Sequence, residues 1–412
     1  MARRTYAGGS GSRYVILLSS LGLMLMGLVM IYSASSASDY ITLGDSAYHL
    51  KRQLMWMGIG AVIMIAAMNF DYHKLKNFSW PALGVSVAGL VLALAIGVER
   101  WGAQRWIEFG GNTIQPSEYA KLSCVMIAAL LLTQRNSGQL RDKDMWGRLL
   151  MSVGAVVLLV MLQPDMGTTM SIVFAVFVVL VVGGVEWKAL AGLATMGAAL
   201  AVLGVLAAPY RAARFLSFID PWADPQGAGY QGIQAMLAFG SGGITGVGLG
   251  MSRQKFFYLP AAHTDFIFAI IGEELGLIGT LAIVLGFVFF AYAGIRIAIG
   301  TKDMYGRLLA AGVTAIIVVQ ALMNMAAVTS LMPITGIPMP MVSFGGSSMT
   351  FSMLCVGIVL SVSKYGIRGV RVYKGGGAKK GSGSARTDER RGNRRSHLSG
   401  IDGGRISARK RA

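Results

Sequence analysis

Charge is scarce in this chain. Of its 412 residues, 14% are Asp, Glu, Lys or Arg and 54% are hydrophobic, with a mean hydropathy of +0.59. That balance excludes a soluble enzyme and describes a polytopic membrane protein, in which the unit to count is the span. Cysteine is nearly absent as well. Cys124 and Cys355 both fall inside apolar runs, which leaves no disulfide framework and no metal-ligand spacing, only two small buried residues. The four histidines, His49, His73, His263 and His397, are scattered without ligand spacing. No internal repeat is visible, and Arg13 precedes an apolar run long enough to stay in the bilayer, so no cleavable leader is expected.

The net charge of +18 is unevenly placed. From Lys364 to the end there are 15 Lys and Arg against 3 Asp and Glu, a net of +12. A basic tail beside a last span is a cytoplasmic signature and suits an anionic lipid surface. Beyond Tyr373 it is Gly/Ser-rich and has no aromatic residue on which a base could stack, which argues against nucleic acid as a partner. Its composition is that of a disordered segment.

Ten apolar segments are expected to span: 14–35, 52–69, 79–98, 117–134, 148–163, 167–185, 188–208, 265–295, 307–331 and 342–363. Each can cross a hydrocarbon core that needs roughly 17–25 helical residues. The expected fold is an all-α integral membrane protein of about ten transmembrane helices, with a large exoplasmic loop between helices 7 and 8. Residues 1–13 form a cytoplasmic N-terminus, 14–365 the membrane domain and 366–412 a basic cytoplasmic tail. The lysines and arginines of the short loops, with Arg3, Arg4, Arg13 and the tail, fall on one face under this count and put both termini in the cytoplasm. The opposite face carries four irregular loops: Glu99 to Ser117, the QPDMG turn (Gln163 to Gly167), Pro209 to Thr264 and Met332 to Phe344. Long loops without a core of their own are more often functional than not, so an exoplasmic site over a helical bundle is expected.

The segment Tyr258 to Gly276, YLPAAHTDFIFAIIGEELG, is the richest in chemistry. Ionisable groups at membrane depth cost roughly 2.5–3.5 kcal/mol each on insertion scales, so they mark a site or a buried pair. Asp265 stands where a polar stretch enters an apolar helix. It reads equally as a helix N-cap or, desolvated beside His263, as a general base. Glu273 and Glu274 follow; eight residues from Asp265 put Glu273 on roughly the same helix side, and a buried pair with a cation on a neighbouring span is the simpler expectation. Glu118 and Lys121 are spaced i,i+3 as a local ion pair, with Lys121 a cation near the exoplasmic rim. Arg105, Arg211, Arg214, Arg253 and Lys255 break the positive-inside tendency, either as tolerated loop charges or as a clamp for phosphates. The glycines of GSGGITGVGLG (Gly240 to Gly250) follow no strand and precede no Gly-Lys-Ser/Thr, so they point to tight turns and close helix approach and not to a nucleotide loop. SFGGSS, Ser343 to Ser348, reads as a cap or a broken helix end.

Four long motifs resemble the FtsW/RodA/SpoVE family of polytopic peptidoglycan glycosyltransferases. They are RWIEFGGNTIQPSEYAKL (Arg105 to Leu122), QPDMGTT (Gln163 to Thr169), the run from Phe218 to Gly276 and PITGIPMPMVSFGGSS (Pro333 to Ser348). Together they cover about a quarter of the chain, and the span plan matches over roughly 14–365. DPW (Asp220 to Trp222), GYQ (Gly229 to Gln231) and SRQKFFYLP look more like the division or sporulation branch than the elongation branch. The resemblance implies polymerisation of lipid II at the exoplasmic face, with Asp265 as the base that deprotonates the acceptor hydroxyl. It implies substrate contacts from Arg105, Lys121, Arg214, Gln231, Lys255, His263 and Ser343, with Glu118, Glu273 and Glu274 in support. A divalent cation, Mg or Mn, is a candidate companion of the pyrophosphate, although no residue is assigned as its ligand. A class B penicillin-binding protein and other division proteins are the expected partners, at the division septum of a bacterial plasma membrane. Two positions depart from the family pattern: Ala261 stands where many relatives have Glu, and Phe344 where Tyr is usual. A transporter of lipid-linked precursors is the competing reading, since polar residues within spans and a helix broken near Pro338 and Pro340 also suit one. The one-sided polar cluster and the lack of repeated halves speak against it. A third reading, a scaffold without catalysis, would leave Asp265 replaceable.

Overall fold

The computed structural model describes residues 8–100, 103–206, 209–256 and 258–366. The first seven residues and the tail from 367 onward lie outside them. Twelve α-helices follow in order: α1 Gly8–Leu43, α2 Tyr48–Asn69, α3 Leu75–Ile96, α4 Pro116–Asn136, α5 Asp142–Leu162, α6 Met166–Val182, α7 Trp187–Leu206, α8 Pro209–Ile219, α9 Tyr230–Gly242, α10 Ile267–Gly300, α11 Met304–Val328 and α12 Gly346–Gly366. Each of the ten expected segments falls on a helix. Seven of the described helices are long and apolar enough to cross a membrane: α1, α2, α3 (with the turn from Tyr72 before it), α5, α10, α11 and α12. The apolar α6 is shorter, and α4 and α7 fall outside that set.

The physical reason for α4 lies in its surroundings. It is buried almost continuously from Pro116 to Leu132 and packs against α3, α5, α6, α11 and α12. A helix enclosed by protein does not need an apolar outer face, so it can carry Glu118 and Lys121. Around it, α2 pairs with α12, α1 with α10, α10 with α11 and α6 with α11, and a continuous apolar core runs through these contacts.

The expectation of an all-α chain omitted a small sheet. Between α3 and α4 three strands, β1 Val98–Arg100, β2 Ala103–Phe109 and β3 Asn112–Ile114, pair antiparallel in the order β1-β2-β3. Gly110 and Gly111 turn β2 into β3, both with positive φ, a conformation that costs glycine nothing. The long stretch 209–264 is likewise more ordered than its loop reading, since it holds α8 and α9.

The most consequential departure is in α10. Its first part, Ile267 to Glu274, is buried, and Gly276 breaks it at φ 63°, ψ −158°. A break at membrane depth frees backbone groups that lipid cannot satisfy. The glycine-rich segment after α9 takes them up. Leu277 and Ile278 donate to the carbonyls of Gly243 (2.9 Å) and Ile244 (3.2 Å), while Val247 and Gly248 donate to those of Glu273 and Glu274, both at 3.0 Å. A Cβ on Gly246 would lie 2.2 Å from the Glu274 carbonyl, so close helix approach explains glycine there. The broken end foreseen near Pro338 and Pro340 also exists as non-helical chain between α11 and α12.

Candidate active site

Asp265 stands two residues before α10, beyond its N-cap. The N-cap of that helix is Phe266, with no side-chain cap, so the capping role considered for Asp265 is not the one it has. Because the helix begins only at Ile267, helical spacing does not carry back to residue 265, and Asp265 and Glu273 face different surroundings. The segment carrying Asp265 is fixed by its backbone. Thr264 donates to the Ala261 carbonyl (3.0 Å), and Phe344 donates to the His263 carbonyl (3.0 Å). From α11, Asn324 donates to the carbonyls of Asp265 (2.7 Å) and Ile337 (2.8 Å).

With its backbone held, the Asp265 side chain is left to a cavity of about 1010 Å³. Six parts of the chain build the wall: α1 at Ala34 and Ser38, β2 with the turn and strand after it, the start of α2, the Pro164–Thr168 turn, the stretch 259–266, and the chain from 334 to 348. Arg214, Gln231, Lys255 and Glu118 also reach it. No described residue hydrogen-bonds the Asp265 carboxylate. It is half-buried in the wall, and the loss of hydration pushes its pKa from 3.8 up to about 6, a rise favoured also by Asp165 and opposed by the guanidinium groups of Arg105 and Arg214. His263, on the same wall, is pushed down to about 4 by burial and by its neighbour His49.

Arg105 projects from β2, lies 4.5 Å over the Trp106 ring and comes within 3.5 Å of Asp165. Asp165 is buried, caps α6 through the Thr168 amide (3.0 Å) and accepts from Gln115 (3.2 Å). Arg214, on α8, is exposed, with the Ile334 carbonyl 3.5 Å away. Gln231 and His263 face the cavity, and their side chains make no hydrogen bond among the described residues, although the His263 ring packs against His49 and Phe344.

The other nominated residues are placed differently. Lys121 is fully buried and spends its charge inside the protein: it lies 2.9 Å from Glu118, donates to Gln320 and sits 4.9 Å over the Phe351 ring. It does not line the cavity, although Glu118 does. Lys255 touches the cavity edge, but it is buried against Glu274 at 3.1 Å and donates to the Gly250 carbonyl at 2.6 Å. The cation paired with Glu274 therefore comes from the preceding loop, where a neighbouring span was expected. Ser33 of α1 also donates to Glu274, and Glu273 accepts from the amide of Arg253 (2.9 Å) and from Ser252. Ser343 is likewise internal, donating to the Thr264 carbonyl (2.6 Å) and accepting from the Met339 amide (2.8 Å). The side chain of Arg211 lies outside the described part.

Sequence reasoning missed several wall residues. Asp165 stood in a motif read only as a turn. Arg52, one turn into α2, donates to the Gly111 carbonyl and to Asn112 at 2.8 Å each and so ties the β2–β3 turn to the bundle; it was masked by its position at the start of an expected span. His49, and the buried Asp39 behind it, had no spacing signal at all. Of the two departures, Ala261 lines the cavity, so the missing carboxylate would have faced it. Phe344 packs edge-on against His49 at 4.6 Å.

A divalent cation finds no ready cage. Among the described residues no group of three His, Cys, Asp or Glu is placed to hold a metal ion. Asp165 and Glu118 are already engaged, which leaves Asp265 as the one of these three cavity carboxylates without a protein partner. Resident Mg sites typically add several waters and substrate phosphates to one or two carboxylates.

A family model describing a cell cycle protein, FtsW, RodA or SpoVE, matches residues 13–367. The chain belongs to the FtsW/RodA/SpoVE family. It is 40% identical to stage V sporulation protein E of Bacillus subtilis over 353 residues, 85% of this chain and 96% of that one. It is 37% identical to a probable peptidoglycan glycosyltransferase FtsW of Geobacter metallireducens over 351 residues, 85% and 94% of the two chains. Among solved structures it resembles a chain of a peptidoglycan synthase complex, described as coordinating polymerization and crosslinking, with a TM-score of 0.71 and 26% identity over 86% of this chain and 98% of that one. Family membership and the apolar helices make this a multi-pass membrane protein.

Proposed function

We propose that this chain is a peptidoglycan glycosyltransferase that polymerises lipid II, the lipid-pyrophosphate-linked disaccharide peptide, in the cavity around Asp265, with Asp265 as the general base. The observation that carries it is a carboxylate left unbonded by protein, pushed up to about 6, and opened onto a cavity that also presents Arg105 and Arg214. A base poised near the working pH can take the hydroxyl proton as the nucleophile attacks. The acceptor's GlcNAc 4-hydroxyl gives its proton to Asp265 as its oxygen bonds to C1 of the donor's MurNAc. The C1–O bond to pyrophosphate breaks, and its electron pair leaves with the lipid pyrophosphate. Arg214 and Arg105 are placed to hold the phosphates, whose charge they complement. Asp165 accepts part of the Arg105 charge, so Arg214 is the freer of the two.

The positive-inside bias supports cytoplasmic termini and a cavity opening on the exoplasmic face of the plasma membrane. The likeness to a synthase-complex chain and the glycosyltransferase names of the relatives support a class B penicillin-binding protein as partner, and favour polymerisation over transport. The FtsW-like and sporulation-like motifs support work at the division septum beside other division proteins.

The test is to purify wild type and Asp265→Asn, each with and without a class B penicillin-binding protein, and to measure glycan strands made from lipid II. Polymer from the wild type and none from Asp265→Asn is expected. Equal polymer from both would remove Asp265 from the chemistry. No polymer together with lipid II movement across liposomes would turn the assignment to transport.

A further inference from the structure

Two histidines that the sequence left scattered meet in the cavity wall. His49, at the start of α2, places Nδ1 2.6 Å from Oδ1 of Asp39, and its backbone N–H donates to the other oxygen at 3.2 Å. Ser35 donates to that same oxygen at 3.0 Å. Asp39 is 1% exposed, and among the described residues no lysine or arginine pairs with it. A carboxylate accepts and does not donate, so this contact puts a proton on Nδ1 and turns Nε2 away from Asp39. Nε2 has no hydrogen-bond partner among the described residues and is not among the buried unpartnered atoms, while His49 lines the cavity.

The ring cannot easily turn away. It packs 4.5 Å from His263 and 4.6 Å from Phe344 between centroids, and 5.4 Å from Tyr48. The polar groups around it are therefore Asp39 from α1, His263 from the segment before α10, and Tyr48 and Arg52 from its own helix. An imidazole with one nitrogen tied to a buried carboxylate, its plane clamped by rings and its second nitrogen open is an oriented hydrogen-bonding group. If the cavity takes the sugars of the proposed substrate, the commonest partner it can meet is a hydroxyl group, which both donates and accepts. His263 lies two residues from Asp265, so the tilted ring contact brings His49 to the same part of the wall.

We propose that His49, held in place by Asp39, hydrogen-bonds through Nε2 to a hydroxyl of the lipid-linked sugar and so positions that substrate beside Asp265. No covalent bond is made or broken at His49; Asp39 is a positioning residue that acts through it. The proposal rests on the glycosyltransferase reading of the cavity.

Two substitutions separate the two nitrogens. His49→Asn offers an amide near the Nδ1 position and nothing at Nε2, whereas His49→Gln reaches the Nε2 position and gives up the tie to Asp39. Both are compared with wild type and Asp265→Asn in lipid II polymerisation by the full chain with its class B partner. Losing one substrate hydrogen bond should lower kcat/KM about three- to tenfold in His49→Asn, mostly through KM, with His49→Gln nearer to wild type. The opposite order, with Asn retained and Gln lost, would make His49 a tie between α1 and α2. That order, equal loss in both or no loss in either overturns the proposal. A wild type that makes no polymer counts against the glycosyltransferase reading and not against His49. The order of the two variants is then read from lipid II retention in nanodiscs, with the same outcomes deciding.

Discussion

Lys255 and Glu274 meet at 3.1 Å inside the protein, with 4% and 0% of their side chains exposed. The lysine comes from the loop before α10 and the glutamate from the enclosed first part of that helix, so the pair pins the loop to the segment that follows Asp265. Breaking a buried pair by removing one partner strands the other charge, at a typical cost of about 3–5 kcal/mol. Lys255→Met should therefore lower the thermal midpoint strongly. Lys255→Met combined with Glu274→Gln should recover much of the loss. A double-mutant cycle by thermal unfolding in detergent or nanodiscs checks both.

Asp265 should make the folded protein less stable at neutral pH. Its pKa is raised above the ordinary 3.8 to about 6, so the folded state prefers the protonated form. Stability falls as pH rises from about 3.8 to about 6, and above that the cost is complete, up to about 3 kcal/mol at 1.36 kcal/mol per unit. Asp265→Asn should raise the thermal midpoint at pH 7.5 and lose that advantage at pH 4, while polymerisation is abolished. An unchanged midpoint would mean that the carboxylate is as well hydrated as in the unfolded chain.

The activity profile follows from the same group. A base must be ionised, so kcat/KM should climb through about pH 6 and level off above it. Arg105 favours the ionised form. Arg105→Gln should therefore move that rise to higher pH as well as weaken substrate binding. A profile that keeps its midpoint would place Arg105 too far from Asp265 to act on it.

Gly276 tests the broken helix. At φ 63° a side chain is strained, and a Cβ would stand 2.4 Å from the Gly246 nitrogen and 2.5 Å from the Ile244 oxygen. Gly276→Ala should cost at least about 2 kcal/mol, whereas Gly22→Ala, where a Cβ meets nothing within 4 Å, should be mild. Thermal unfolding of the two variants side by side gives the answer.

Much of this was legible in the residues because membrane burial demands long apolar runs, and those ten runs each became a helix. Asp265 and His263 stood out as polar groups beside an apolar run and Arg105 and Arg214 as charges against the positive-inside tendency, whereas Gln231 was reached only through the family motif; all five line the cavity. The misplacements share one cause. Whether Lys121 or Ser343 faces a cavity or a neighbour depends on the side of a packed element, and the partners that decide it, Gln320 and Thr264, are remote in the chain. Asp39 and His49 lie ten residues apart across a helix end, and Arg52 meets a β-turn about sixty residues away; no periodicity encodes either. The glycine-rich segment was correctly read as close approach, but the helix it approaches could not be named without the break at Gly276.

That break has a consequence for chain length. Because Leu277 and Ile278 are bonded back to Gly243 and Ile244, everything between residues 243 and 278 forms a closed circuit of backbone, and Asp265 rides on it. Residues added inside the circuit must be absorbed between its two tied ends, on the segment that carries the carboxylate. The turn from Asp220 to Gly229 lies outside the circuit and can change length without moving Asp265. Natural variation in loop length should therefore gather before α9 and stop at its C-terminal end.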